Sequence, residues 1–135
     1  MNFQTAVLCD AATDDRGKLN ILGAFDTIAG RQFPLVHPQC AVVLRIQFTK
    51  TEEGTHTITV RFIDADGHEI IKPITVQLTV HLMDNVYFAS RNVIINLQRL
   101  KLTEPGPYAV DITVDNHPEA SIPLQAVEIK KPKPS

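Results

Sequence analysis

Carboxylates are the residues of this chain best placed by spacing to do chemistry. Asp10, Asp14 and Asp15 crowd one short stretch, and Asp26 closes the apolar run that follows. Gathered at one end of a sheet they could hold calcium, which takes about six to eight oxygens. The simpler reading is a solvated turn in which Asp side chains accept bonds from nearby backbone amides. Asp64, Asp66, Gly67 and Glu69 imitate the opening of a calcium loop, but its twelfth position falls on Thr75, inside an apolar alternation. Asp66-Gly67 is better explained as a hairpin turn.

Five histidines, His37, His56, His68, His81 and His117, are scattered among turns and strand ends without HxH or HExxH spacing, so no metal site is expected. Cys9 and Cys40 lack CxxC spacing and sit in apolar runs, which predicts reduced, buried thiols. A single bridge or a reactive site is the alternative. No GxSxG elbow occurs, and no cofactor is expected. An enzyme is therefore less expected than a binding protein, although a site assembled by folding leaves no local motif. Its best position would be the loops around Asp14, Asp26 and His37, as a ligand-binding or metal-dependent hydrolytic site.

The elements that must position these groups are strands. Cys40, Val42, Leu44, Ile46 and Phe48 alternate with Ala41, Val43, Arg45, Gln47 and Thr49, and Ile58, Val60 and Phe62 alternate with Thr57, Thr59 and Arg61. Phe3 to Cys9, Leu19 to Ile28, Ile70 to Leu82, Val93 to Leu97, Tyr108 to Val114 and Ala120 to Ile129 give further strands, separated by turn signals. In the first strand Phe3, Val7 and Cys9 are expected to share one face. Pro34 and Pro38 should keep the segment from Gly30 to Pro38 out of regular pairing. No helix-period segment of helix length occurs. The fold class is all-β, an immunoglobulin-like Greek-key β-sandwich of about seven to eight strands. Tyr108, directly after Pro105-Gly106-Pro107, has the position of the tyrosine that ties such sandwiches at one corner.

At 135 residues the chain has the size of one domain, expected over residues 1–129, with a basic, proline-containing tail over 130–135. Thirteen basic against fifteen acidic residues provide no field to attract a polyanion, so nucleic acid is not an expected partner. No stretch has the apolar length of a membrane span, and Gln4, Thr5 and Asp10 interrupt anything resembling a signal peptide. A cytoplasmic location is expected.

Lys18-Leu19-Asn20-Ile21-Leu22-Gly23-Ala24-Phe25-Asp26, followed by Phe33-Pro34 and His37-Pro38, resembles a family of small bacterial β-sandwich proteins known only as a domain of unknown function. The Asp64 to Gly67 turn and the corner from Pro105 to Tyr108 fit the same pattern. The resemblance implies a sandwich in a bacterial cytoplasm without an assigned activity, and it transfers no site residue.

The early strands are apolar on both faces. Ala6, Leu8, Leu22, Ala24, Ile28, Ala41 and Val43 lie opposite the apparent core positions, where a solvated antiparallel sheet would be polar. Something must cover them. One candidate is the connection from Met83 to Arg91, with Val86, Tyr87 and Phe88; the other is a second subunit or a protein partner. The expected function is accordingly a non-catalytic interaction or self-association module, with Leu22, Ala24, Val43, Tyr87 and Phe88 as its surface.

Overall fold

The computed structural model describes residues 1–130, so most of the expected tail lies outside the described residues. Nine strands follow in order: β1 (Asn2–Asp15), β2 (Lys18–Phe25), β3 (Thr27–Gly30), β4 (Leu35–Thr49), β5 (Gly54–Ile63), β6 (Ile74–Val80), β7 (Phe88–Leu102), β8 (Gly106–Val114) and β9 (His117–Glu128). A single 3-10 turn, Lys50–Glu52, links β4 to β5. One sheet has the order β2-β1-β4-β7 and the other β3-β9-β8-β5-β6. Their apolar faces pack together, so the chain is an all-β sandwich.

The core follows from the alternation. Cys40, Val42, Leu44, Ile46 and Phe48 from β4 meet Ile58, Val60 and Phe62 from β5 and Tyr108, Val110, Ile112 and Val114 from β8, all buried. At about 25 cal/mol per Å² of apolar surface, this two-sided burial is the main stabilising term. Tyr108 makes the expected corner: its hydroxyl donates to the Glu104 carbonyl at 2.7 Å.

Several boundaries differ from expectation. The segment after Cys9 is strand as far as Asp15, and only Arg16 and Gly17 turn, both at positive φ. The expected strand from Leu19 to Ile28 breaks at Asp26, because β2 belongs to one sheet and β3 to the other, where β3 runs parallel to β9. Pro38 sits inside β4 between the paired residues His37 and Gln39. β6 begins at Ile74, so the connection through the Asp64 turn is longer than a tight hairpin. The first strand carries a register shift between Phe3 and Thr5, which places Phe3 with Ala6 and Leu8 on the main core and turns Val7 and Cys9 outward. Ile28 likewise joins the main core, in the second sheet.

The outward face has its own small core. Cys9, Ala41 and Val43 are fully buried there, with Val7, Ala12, Leu19 and Ile94 packed on them. Their cover is the far half of the β1–β2 hairpin. The ladder runs through Cys9↔Ala24, omits Asp10 opposite Gly23, and resumes at Ala11↔Leu22. Gly23 has φ +68, and a Cβ there would run into the Asp10 carboxylate. Both strands bend at that point, so Ala12, of opposite parity to Cys9, and Leu19, which shares the face of Ala12 through its pairing with Asp14, come down on Ala41, Val43 and Ile94. The Met83 to Arg91 segment does not provide the cover: Phe88 already belongs to β7, and Met83, Val86, Tyr87 and Phe88 are exposed.

Candidate functional site

Two polar networks hold Asp14 and His56. At the hairpin tip, Asp14 Oδ1 accepts the Gly17 amide at 2.8 Å and its Oδ2 accepts from Asn92 Nδ2 at 3.0 Å. Arg45 donates to Asn92 Oδ1 at 2.7 Å, to the Gly17 carbonyl at 2.9 Å and, through Nε, to Gln4 at 3.1 Å. The Asn92 bond, then the Gly17 amide, hold the Asp14 carboxyl below its usual range. Asp14 therefore latches the hairpin to the sheet.

The second network surrounds His56. Its Nδ1 lies 2.7 Å from Asp115 Oδ2 and its Nε2 2.6 Å from the Glu52 carbonyl, while its ring stacks on Phe48 at 5.0 Å. Both neighbours are acceptors, an arrangement that favours a ring carrying two protons, and its pKa is raised, first by the Glu52 carbonyl and then by Asp115. In that doubly protonated form the ring has no lone pair for a nucleophile's proton. This pair ties β5 to the β8–β9 turn.

Asp26 and His37 flank Phe25 rather than joining Asp14. Asp26 stitches the crossing between sheets: its carbonyl accepts from the Gln125 amide at 2.9 Å and its carboxylate from Thr27 at 2.9 Å. His37 packs its ring at 5.6 Å from Phe25 and lines an open cleft of about 400 Å³ with Asp10, Gly23 and Thr27. Its Nε2 is buried without a hydrogen-bond partner. Asp14, beyond the hairpin bend, is absent from that cleft's lining. The proposed grouping of Asp14 with Asp26 and His37 is therefore corrected to Asp10 with His37.

Asp64, Asp66 and His68 bring their ligand atoms within 4.8 Å of one another. Asp64 Oδ1 already accepts the amides of Asp66 and His68, each at 2.9 Å, and Glu69 turns away to Arg61 at 2.8 Å. This is the geometry of a capped turn. Cys9 and Cys40 are unbridged and belong to the outer and main cores respectively. Burial raises the Cys9 pKa and pushes Cys40 up to about 11, so both stay thiols.

Among the surface residues expected from the sequence, Val43 is fully buried beneath the hairpin and cannot contact a partner. Leu22, 70% exposed, and Ala24 lie on the hairpin's solvent side. Tyr87, 90% exposed, and Phe88, 52% exposed, stand at the start of β7. Met83, 74% exposed, and Val86 join them, through a turn in which the Val86 amide donates to the Met83 carbonyl at 3.2 Å. The contribution of Met83 was missed because a lone Met at a strand end gives no local sign of its exposure. Glu53 anchors the start of this connection by accepting the Leu82 amide at 3.0 Å.

A family model describing a family of unknown function, DUF6941, matches residues 4–127. The chain belongs to this family. No curated protein matches it. The matched residues of this DUF6941 chain include the latch at Asp14, the corner at Tyr108 and the exposed connection before β7. No helix among the described residues is long and apolar enough to cross a membrane.

Proposed function

We propose that this chain is a non-catalytic protein-interaction module that docks a protein partner through the apolar connection between β6 and β7. The observation that carries the reading is the exposure of Met83, Val86, Tyr87 and Phe88 within six residues, on a connection whose start is pinned by Glu53. A tyrosine offers wide contact area at low entropic cost, and aromatic side chains dominate the energetics of protein interfaces. Hydration of four neighbouring apolar groups is unfavourable unless a partner relieves it. The engaged His56 and the protonated thiols favour binding over catalysis.

The module comprises residues 1–129. Its corner at Tyr108 supports an immunoglobulin-like reading of the sandwich, and its unbridged thiols suit a reducing cytoplasm.

The test is a photo-crosslinking amino acid at position 87, with the same probe at exposed Glu119 as control, irradiated in the source cells. A discrete protein adduct from position 87 and none from position 119 is the expected result. The same adducts from both positions, or none from either, would remove this role from the connection.

A further inference from the structure

The four outer strands of the two sheets differ in how well they resist pairing with another chain. β7 carries Arg91, Arg99 and Lys101, β2 bends at Gly23, and β3 is four residues long. Charge, bending and shortness are the usual protections of a free edge. β6 has none of them. Its seven residues, Ile74-Thr75-Val76-Gln77-Leu78-Thr79-Val80, contain no charge, no proline and no glycine, and among the described residues it pairs only with β5.

The strand is also a chemical palindrome. Gln77 is its centre; Val76 and Leu78, Thr75 and Thr79, and Ile74 and Val80 stand at equal distances on either side. A two-fold axis makes each residue meet its mirror position in the partner, so an isologous antiparallel edge must be self-complementary in this way. Thr75, Gln77 and Thr79 are exposed on one face, while Ile74, Val76 and Leu78 are only half-buried on the other. The Thr79 hydroxyl already meets Thr55 of β5 at 3.2 Å, a cross-strand pair that a further threonine would extend.

We propose that β6 pairs antiparallel with β6 of a second copy of this chain about an axis at Gln77. The two five-stranded sheets then form one continuous sheet. Val76 packs beside the partner's Leu78, and Ile74 beside the partner's Val80, which covers the half-buried row. The partner's Thr79 stands opposite Thr75, and the two Gln77 amides face each other. No charged side chain meets its like, and the free amides and carbonyls of both edges are satisfied. This surface is distinct from the aromatic connection, so either proposal can fail without the other.

Light scattering after size exclusion, across a dilution series of the full chain, is the deciding experiment. The expected result is a dimer that dissociates on dilution, with Gln77→Lys monomeric at concentrations where the parent is dimeric. Two ammonium groups would then oppose each other on the axis. Tyr87→Ser should leave the parent's mass unchanged. A parent that is monomeric throughout, or a dimer that Gln77→Lys leaves intact, would overturn the proposal. Should Gln77→Lys fail to fold, Gln77→Cys under mild oxidation decides: a covalent dimer is expected, and a chain that stays monomeric overturns it. The buried native thiols do not compete.

Discussion

Arg45 on β4 and Asn92 on β7 face each other across the outer surface of the four-stranded sheet, joined at 2.7 Å, and both also bond the Gly17 carbonyl at the hairpin tip. The pair is a platform on which the folded-back hairpin rests. It explains how a sheet with apolar residues on both faces is covered by its own chain.

Asn92→Ala should loosen that hairpin without unfolding the sandwich. It removes the bonds to Asp14 and Gly17 and one acceptor of Arg45. The expected loss is about 1 kcal/mol, since the site is partly solvated. Amide hydrogen exchange should accelerate over residues 12–19 and stay unchanged in β5 and β8. Uniform acceleration through every strand would show that the hairpin does not open independently.

Leu22 and Val43, both apolar and both expected from the sequence at the surface, should respond differently to charge. Leu22→Asp meets water, because the side chain is 70% exposed, and stability should change by less than about 0.5 kcal/mol. Val43→Asp would bury an unpaired carboxylate beneath Ala12 and Leu19 and should cost more than about 3 kcal/mol. Equal denaturation midpoints for the two variants would refute the placement of the hairpin.

Tyr108→Phe isolates one hydroxyl. The ring stays in the core, and what is lost is the 2.7 Å bond the hydroxyl donates to the Glu104 carbonyl, with the longer 3.5 Å bond it accepts from the Glu104 amide. An unfolding free energy lower by about 1 kcal/mol is expected from chemical denaturation. A variant with the parent's midpoint and slope would mean that the corner bond contributes nothing net.

His56 and Asp115 set a pH window. The His56 pKa is raised above its ordinary 6.5, so its contribution is complete below that value and is lost as pH rises through the folded-state pKa. The Asp115 pKa is lowered from 3.8, first by the Thr57 amide and then by His56, so its contribution holds above 3.8 and is lost as pH falls through the folded value. Stability should therefore decline as pH rises above 6.5, and His56→Gln should flatten that decline. Thermal unfolding of parent and variant over the neutral to mildly alkaline range checks it. Parallel curves would show that another group titrates there.

Strands, turns and the main core were legible in the sequence because they depend on period-two alternation and on local turn chemistry. Tyr108 after Pro-Gly-Pro and the β4, β5 and β8 rows all follow from neighbours in the chain. The apolar outer face was legible too, as a need for cover. What covers it was decided only in three dimensions, by a one-residue shift after Phe3 and a bend at Asp10 and Gly23 that exchange which parity faces the sheet. A single residue of slip inverts every later side chain, and no local pattern marks it. The latch of Asp14 to Asn92 spans 78 positions, and the Arg45 to Asn92 bond spans 47. Such pairings arise from sheet order, so the sequence by itself determined the strands and their apolar rows, while tertiary structure alone decided which carboxylates, amides and exposed aromatics share a neighbourhood.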